Sequence, residues 1–156
     1  MLSVQNVLRF IRFWPPYWAA GIRVSEFSKD ITRIKVSMRL SRRNTNYVGT
    51  HFGGNLYSMC DPWYMFILLE HLGKDFIVWD KAAEIDFVSP GKGTVTAEFA
   101  ISRQELDDLR AQLQNQNKLL PVYSTEVVDE AGRTVARIRK TLYVKRKAPV
   151  SESSHA

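Results

Sequence analysis

Asp61 is the residue whose type and surroundings most clearly suggest chemistry. It lies in an apolar segment that we predict to be one buried helix, from Gly53 to about Leu72, with no lysine or arginine between Gly54 and Lys74. Burial without a basic partner raises the pKa of a carboxyl group, which suits a general base or a nucleophile near neutral pH. The alternative is an aspartate that faces solvent through a gap or accepts a hydrogen bond from a loop amide.

The pair Gly53-Gly54 marks the predicted start of this helix. The first N–H groups of a helix have no intrahelical acceptor and carry the positive end of its dipole. Two glycines let another group approach this backbone closely. The start of the helix can therefore stabilise a carbonyl oxygen as it becomes an oxyanion.

The spacing of these two features predicts how a site would be assembled. Asp61 follows Gly53 by eight residues, which is about 12 Å along a helix axis. One small substrate cannot touch both within a single helix. Two antiparallel copies of the helix, paired about a two-fold axis, bring Asp61 of one copy beside Gly53 of the other, so the spacing predicts a homodimer with a shared site.

The residues around this helix resemble those of a known superfamily. Asn46, followed after seven residues by Gly53-Gly54-Asn55-Leu56-Tyr57-Ser58-Met59-Cys60-Asp61, is similar to the Asn…Gly-Gly-x-Leu/Ile-Phe/Tyr-x-x-x-Asp pattern of hotdog thioesterases of the PaaI-like type. The segment Val78–Phe87, with Pro90-Gly91-x-Gly93, resembles the DUF4442 group of that superfamily. The likeness covers roughly residues 30–146.

This resemblance implies an α+β hotdog fold, in which one long central helix is wrapped by a curved antiparallel sheet, and dimers that often pair into tetramers. It also implies an acyl-CoA thioesterase in which Gly54, with Gly53, polarises the thioester carbonyl through backbone N–H groups. Asp61 from the other subunit would activate water or attack directly, and Asn46 would help to hold the carbonyl or the water. A non-catalytic protein that binds acyl thioesters on the same fold is the alternative.

His51 and three larger side chains are the expected substrate-binding residues of the central region. The PaaI-like enzymes often have histidine directly before the glycine pair, whereas this chain has Phe52 there and His51 one position earlier. The role of His51 is therefore open. Trp63, Phe66 and Trp79 are large enough to line or block an acyl tunnel, and ordinary core packing explains them equally well.

Seven lysines and arginines lie between residues 133 and 147. Arg137 and Arg139 share one face of a predicted strand, whereas Lys140 lies on the apolar face with Ile138 and Leu142. Arg137 and Arg139 are expected to bind the phosphates of coenzyme A, which enters as part of the substrate and not as a separate cofactor. A solvated positive face is the alternative, and without a nucleic-acid-binding motif we predict no nucleic-acid partner. The three histidines are scattered, so no metal site is predicted.

Periodicity predicts the elements that position these residues. Apolar residues alternate with polar ones from Ile34 to Leu40, which is typical of a half-buried strand. Further strands are predicted at about 76–88, 94–101, 120–129 and 133–146, with a polar helix at 103–116 behind Ser102 as its N-cap. The short connections favour antiparallel pairing. We predict an N-terminal helix and connector at 1–29, a hotdog domain at 30–147 and a disordered tail at 148–156.

The N-terminal segment has two interpretations. Apolar residues at helical spacing predict a helix over residues 2–13, which Pro15-Pro16 ends. Packing across the domain is favoured over peripheral attachment to a membrane, because Arg9 and Arg12 make only a thin basic face.

Composition is that of an ordinary globular domain of 156 residues, with 45% hydrophobic residues, 24% charged residues and a formal net charge of +6. The only cysteine, Cys60, excludes an intramolecular disulfide and favours a reducing compartment. The apolar run 56–69 is too short to span a membrane and is interrupted by Asp61 and Pro62. Since the N-terminus has no signal-peptide pattern, we expect a cytoplasmic protein.

Overall fold

The structure, a computed structural model, describes residues 3–147. The predicted tail at 148–156 lies outside the described residues. The elements in chain order are α1 (Val4–Phe10), a 3-10 turn (Ile11–Phe13), α2 (Pro15–Ala20), β1 (Ile22–Phe27), β2 (Arg33–Arg39), α3 (Gly53–Ser58), α4 (Trp63–Leu72), β3 (Phe76–Phe87), β4 (Thr94–Ala100), α5 (Arg103–Asn115), β5 (Lys118–Leu119), β6 (Val122–Val128) and β7 (Thr134–Arg146).

One antiparallel sheet organises the fold. Its strands follow the order β1-β2-β4-β6-β7-β3, and the short β5 pairs with β7 beside this path. Apolar side chains alternate with polar ones along the strands, so Val36 on β2 and its partner Ala97 on β4 are both buried. The five predicted strands, which are β2, β3, β4, β6 and β7, and the polar helix α5, with Ser102 as its N-cap, are confirmed.

The central helical segment is divided into two helices, and this corrects the prediction that Asp61 lies in the middle of one helix. Helix α3 ends at Ser58 and α4 begins at Trp63, so Asp61 lies in the break between them. Pro62 explains the break, because proline has no N–H to donate and disfavours helical backbone at the preceding residue. The carbonyl oxygen of Ser58 accepts a hydrogen bond from the Asp61 N–H at 3.3 Å instead.

The N-terminal segment is more structured than a helix and a connector. Pro15 and Pro16 follow α1 and its 3-10 turn, as predicted, but they also occupy the first positions of a second helix, α2, where their fixed φ is favourable. Strand β1, which the sequence did not predict, then pairs with β2 at the edge of the sheet. The division of the chain at residue 30 stays a prediction. No helix within residues 3–147 is both long and apolar enough to cross a membrane.

Candidate functional site

Lys140 is the buried charge around which the site is built. Its side chain is 0% exposed and points, with Ile138 and Leu142, to the inner face of β7. A buried ammonium needs acceptors for its three N–H bonds. Lys140 Nζ donates to Asp61 Oδ1 at 3.0 Å, to Asp80 Oδ2 at 3.0 Å and to the main-chain carbonyl of Asp61.

Asp61 is therefore in a different environment from the one that the sequence predicted. Its side chain is 50% exposed, and it has a basic partner that comes from β7 and not from its own segment. The Tyr57 hydroxyl also donates to Asp61 Oδ1 at 3.2 Å, and the Tyr57 ring lies 5.6 Å from Lys140 Nζ. The expectation of a buried carboxylate without a basic partner was wrong, because a strand distant in sequence supplies the partner. The result is a carboxylate that is held in place and open to solvent on one side.

Asp80 is a second carboxylate on the same ammonium. It lies on β3, where its side chain is 18% exposed, and its Oδ1 is buried without a hydrogen-bond partner among residues 3–147. Burial raises the pKa of Asp80, and Lys140 acts in the opposite direction. Burial and the charge of Asp61 raise the pKa of Tyr57 to about 12, so Tyr57 remains a hydrogen-bond donor near neutral pH.

An apolar cavity of about 580 Å³ opens beside Asp61, between α1 and α4. Phe66, one of the predicted tunnel residues, lines it together with Val7, Phe10 and Met65. Its volume is within the range of small-molecule sites. The cavity joins a half-exposed carboxylate to an apolar wall.

The other two predicted tunnel residues do not line this cavity. Trp63 is 0% exposed, donates from Nε1 to the Met59 carbonyl at 2.6 Å and packs in the core against Phe99. Trp79 stacks on Tyr143 with 4.1 Å between ring centroids, on the face of the sheet opposite to Lys140.

The two glycines lie at the start of α3, as predicted, and aromatic rings pack against them. A Cβ atom on Gly53 would lie 2.9 Å from the Phe87 ring, and one on Gly54 would lie 2.5 Å from the Phe52 ring. A side chain at either position would have to displace a phenylalanine ring that is more than half exposed. Because these residues begin the helix, their N–H groups have no intrahelical acceptor.

Asn46 and His51 lie near Gly53, around a second cavity of about 550 Å³. Both ends of the Asn46 amide hold the loop: Nδ2 donates to Thr50 Oγ1 at 2.8 Å, and Oδ1 accepts from the Thr50 N–H at 3.0 Å. His51 is buried, with Nε2 3.2 Å from the Gly93 carbonyl oxygen, and burial lowers its pKa. Its Nδ1 has no partner among the described residues.

Arg137 and Arg139 lie on the outer face of β7, away from Lys140. Arg137 Nε lies 2.8 Å from a Glu126 carboxylate oxygen, and Arg139 lies 3.7 Å from Glu84. The structure does not bring these arginines to Asp61 within one subunit. It brings Asp61, Lys140 and Asp80 together.

Lys140, Asp80 and Tyr57 are residues that the sequence analysis did not assign to the site. Lys140 gave a signal, because a lysine stood on the apolar face of a predicted strand. Tyr57 and Asp80 stand in the two segments that carry the family resemblance, but that resemblance assigned no role to either. Within residues 3–147, no group of three or more His, Cys, Asp or Glu side chains is arranged to hold a metal ion.

Comparison with known proteins identifies the fold. The model of a family described as a domain of unknown function, DUF4442, matches residues 5–144. A protein of unknown function from Pseudomonas aeruginosa, named as a probable thioesterase, is 17% identical with a TM-score of 0.81, over 94% of this chain and 97% of that one.

Two further solved structures agree. The PaaI protein of Escherichia coli, from the phenylacetic acid degradation operon, is 22% identical with a TM-score of 0.64 and 94% of each chain covered. A thioesterase from Haemophilus influenzae is 16% identical with a TM-score of 0.67, over 99% of this chain and 96% of that one. These likenesses confirm the predicted hotdog fold. No curated protein matches the chain in sequence.

Proposed function

The chain belongs to the DUF4442 family, and from that premise we propose that it is an acyl-CoA thioesterase with a site shared between two subunits. The observation that carries the proposal is the Asp61 carboxylate, which is held by Lys140, half exposed to solvent and placed at an apolar cavity. Thioester hydrolysis needs a base or nucleophile beside a pocket for the acyl group, and this arrangement supplies both.

Asp61 is suited to either of two roles in the reaction. As a general base it takes a proton from the water that attacks the thioester carbonyl. As a nucleophile it attacks the carbonyl itself, the C–S bond breaks and the coenzyme A thiolate leaves, and water then hydrolyses the resulting anhydride to release the acid and restore Asp61. Lys140 is a positioning residue in both cases, because two of its hydrogen bonds fix the main chain and the carboxylate of Asp61.

The N–H groups of Gly53 and Gly54 are suited to polarise the carbonyl of the thioester. They begin α3, whereas Asp61 follows its end, so the substrate of one site would contact the glycines of one subunit and Asp61 of the other. Asn46 and His51 lie around the cavity beside Gly53 and would shape this half of the site.

The free edge of the sheet supports a dimer. Strand β3 has 12 residues and pairs with β7 on one side only within residues 3–147. Proteins usually cover or block so long an edge. Antiparallel pairing of two β3 strands about a two-fold axis would cover it and place the two central segments side by side.

The proposed substrate carries an apolar acyl group. The cavity beside Asp61 is lined mainly by aliphatic and aromatic side chains, including Phe66. Each methylene that it buries contributes about 0.8 kcal/mol, or about a fourfold gain in kcat/KM when the gain is fully expressed in the transition state.

The test is a panel of short-, medium- and long-chain acyl-CoA substrates, assayed by the free thiol released. We expect turnover that rises with chain length until the cavity is full, and a loss of about 100- to 10,000-fold in kcat for Asp61→Asn. Asp75→Asn is the matched control, because Asp75 is exposed beyond the end of α4. It should retain wild-type turnover.

Three results would reject parts of the proposal. An inactive wild type across the panel rejects hydrolysis, and coenzyme A thioesters that bind without turnover would then indicate the non-catalytic alternative. An active Asp61→Asn variant rejects the role of Asp61. A monomer in solution that is fully active rejects the shared site.

A further inference from the structure

Four arginines from separate parts of the chain come together around the C-terminal end of α2. Arg12, Arg23 and Arg43 line a depression of about 230 Å³, and Arg23, Arg39 and Arg43 line a neighbouring depression of about 550 Å³. All four are exposed. None forms an ion pair with an acidic side chain in the described range 3–147.

A buried asparagine holds this arrangement together. Asn44 is 1% exposed, and its Nδ2 donates to the carbonyls of Ala20 and Arg39, both at 2.8 Å. Its Oδ1 accepts from the Ser41 N–H at 2.7 Å. These bonds tie the end of α2 to the end of β2 and to the loop that carries Arg43. The backbone that carries the basic cluster is therefore held in place. The cluster places Arg23, Arg39 and Arg43 beside Arg12 of the N-terminal segment.

Large aromatic side chains stand exposed beside these arginines. The Arg12 guanidinium lies 4.6 Å from the ring centroid of Phe13, and that of Arg43 lies 5.2 Å from the ring centroid of Trp18. The exposed aromatic residues are Phe10, Phe13, Trp14 and Trp18, and they are between 52% and 64% exposed. We call these four aromatic residues with Arg12, Arg23, Arg39 and Arg43 the arginine–aromatic surface.

Six of the eight residues of this surface come from a segment without acidic residues. The first 25 residues contain no aspartate or glutamate, and the first acidic residue of the chain is Glu26. Arginine beside exposed tryptophan and phenylalanine is the combination that binds the headgroup region of an anionic bilayer, where the aromatic rings enter the interface and the guanidinium groups contact phosphates. A nucleic-acid duplex would contact the arginines through its phosphates and leave the phenylalanines exposed to water.

We propose that the arginine–aromatic surface docks this chain on an anionic phospholipid membrane, with lipid phosphates in the two arginine-lined depressions. The proposal goes beyond thioester hydrolysis and does not depend on it. Phe10 and Trp14 belong both to this surface and to the wall of the cavity that reaches Asp61. A docked molecule therefore turns the mouth of that cavity toward the lipid.

The test is sedimentation of the full chain with vesicles of phosphatidylcholine alone or of an equal mixture with phosphatidylglycerol. Each arginine near an anionic surface contributes about a fivefold gain in partitioning. The variant Arg12→Ala/Arg23→Ala/Arg43→Ala should therefore lose about 100-fold in its partition coefficient on the mixed vesicles. The effect should weaken as salt is raised.

The matched control is Arg103→Ala/Arg110→Ala/Arg133→Ala, which lowers the net charge of +6 by the same three units. Its three arginines are exposed and ion-paired elsewhere on the molecule. It should partition as the wild type does. Circular dichroism of both variants should show the wild-type fold, because every substituted side chain is exposed.

Tryptophan emission locates the contact. Trp18 is 60% exposed on the proposed surface, and Trp79 is 46% exposed on β3 at the other end of the sheet. A blue shift on mixed vesicles should be smaller in Trp18→Phe and unchanged in Trp79→Phe. A shift that depends on Trp79 would place the contact on the other end and overturn the proposal.

Other outcomes would also overturn it. These are no binding of the wild type to mixed vesicles at low salt, equal binding to neutral and mixed vesicles, and an equal loss in the control variant. If light scattering shows that the Arg12, Arg23 and Arg43 substitutions dissociate an oligomer and vesicles do not bind, the surface is an interface between copies of the chain. If coenzyme A binds through these arginines and vesicles do not, its occupant is a soluble phosphate.

Discussion

Replacing Lys140 with methionine tests whether one buried ammonium holds the site. Methionine keeps the length and the apolar stem of lysine but removes the charge that Asp61 and Asp80 share. Removing one partner of a buried ion pair destabilises a protein by about 3–5 kcal/mol. Asp61 is half exposed, so solvent screens the charge that the substitution leaves unpaired there. Most of the loss of stability should come from Asp80, which is 18% exposed. We expect a loss of about 3 kcal/mol in the free energy of unfolding near neutral pH.

The loss should depend on pH in a stated direction. Burial already raises the pKa of Asp80 above its ordinary value of 3.8, and removal of Lys140 removes the cause that opposes this shift. Between 3.8 and the raised value, the folded variant binds more protons than the unfolded chain, so its stability falls as pH rises. The difference in the free energy of unfolding between variant and wild type should have its full size above the pKa of Asp80 in the folded variant. It should shrink as pH falls below that pKa toward 3.8.

Urea unfolding followed by tryptophan emission measures these differences, since Trp63 is fully buried. Protomer concentration must be the same throughout, because an oligomer gains stability with concentration. Lys145→Met, at an exposed position on the same strand, is the control and should lie within about 0.5 kcal/mol of the wild type. Adding Asp80→Asn to the Lys140→Met variant should restore about 2 kcal/mol.

The role of Lys140 as the charge that holds Asp80 is refuted if Lys140→Met loses less than about 1 kcal/mol near neutral pH, since breaking a buried pair costs more than that. It is refuted equally if the loss does not change with pH, or if Asp80→Asn restores nothing in the double variant. Either result would mean that Asp80 is not the carboxylate that depends on Lys140.

Two further substitutions test local packing and capping. Gly91→Ala should lower the free energy of unfolding by about 1–3 kcal/mol, because the new Cβ would lie 2.9 Å from Val135 Cγ1 and 3.2 Å from His51 Cδ2; an unchanged urea midpoint contradicts this packing. Ser102→Ala should cost about 1 kcal/mol by removing the capping box with Glu105 at the start of α5, whereas Ser102→Thr should retain most of the stability.

The sequence predicts those parts of the fold that depend on local pattern. Alternation from Ile34 to Leu40 marked β2, and Ser102 marked the start of α5, because burial and capping leave a periodic or positional signal. Strand β1 was not predicted because it is an edge strand, and buried and exposed side chains do not alternate along it. The predicted position of Asp61 within one helix was wrong, because one helix ends at Ser58 and a second begins at Trp63, just after Pro62.

The ion cluster could not be predicted, because it depends on register between distant strands. Lys140 meets Asp80 only because β3 pairs with β7, with a bulge between Asp80 and Ala82 that sets which residues face inward. Nor does composition show that Asn44 gathers Arg39 and Arg43 beside α2. The sequence alone shows Lys140 on the apolar face of a strand and Arg9 and Arg12 on a short helix. Which side chains lie beside them is determined by the fold.

The break at Pro62 and the burial of Lys140 are parts of one arrangement. An ammonium group has three N–H donors, and each must find an acceptor when the group is buried. Two carboxylates supply two acceptors, and the third is the main-chain carbonyl of Asp61. In an uninterrupted helix that carbonyl would accept the N–H four residues later. Because the helix is broken there, the carbonyl is available to Lys140, and the same contact fixes the backbone that carries the Asp61 carboxylate.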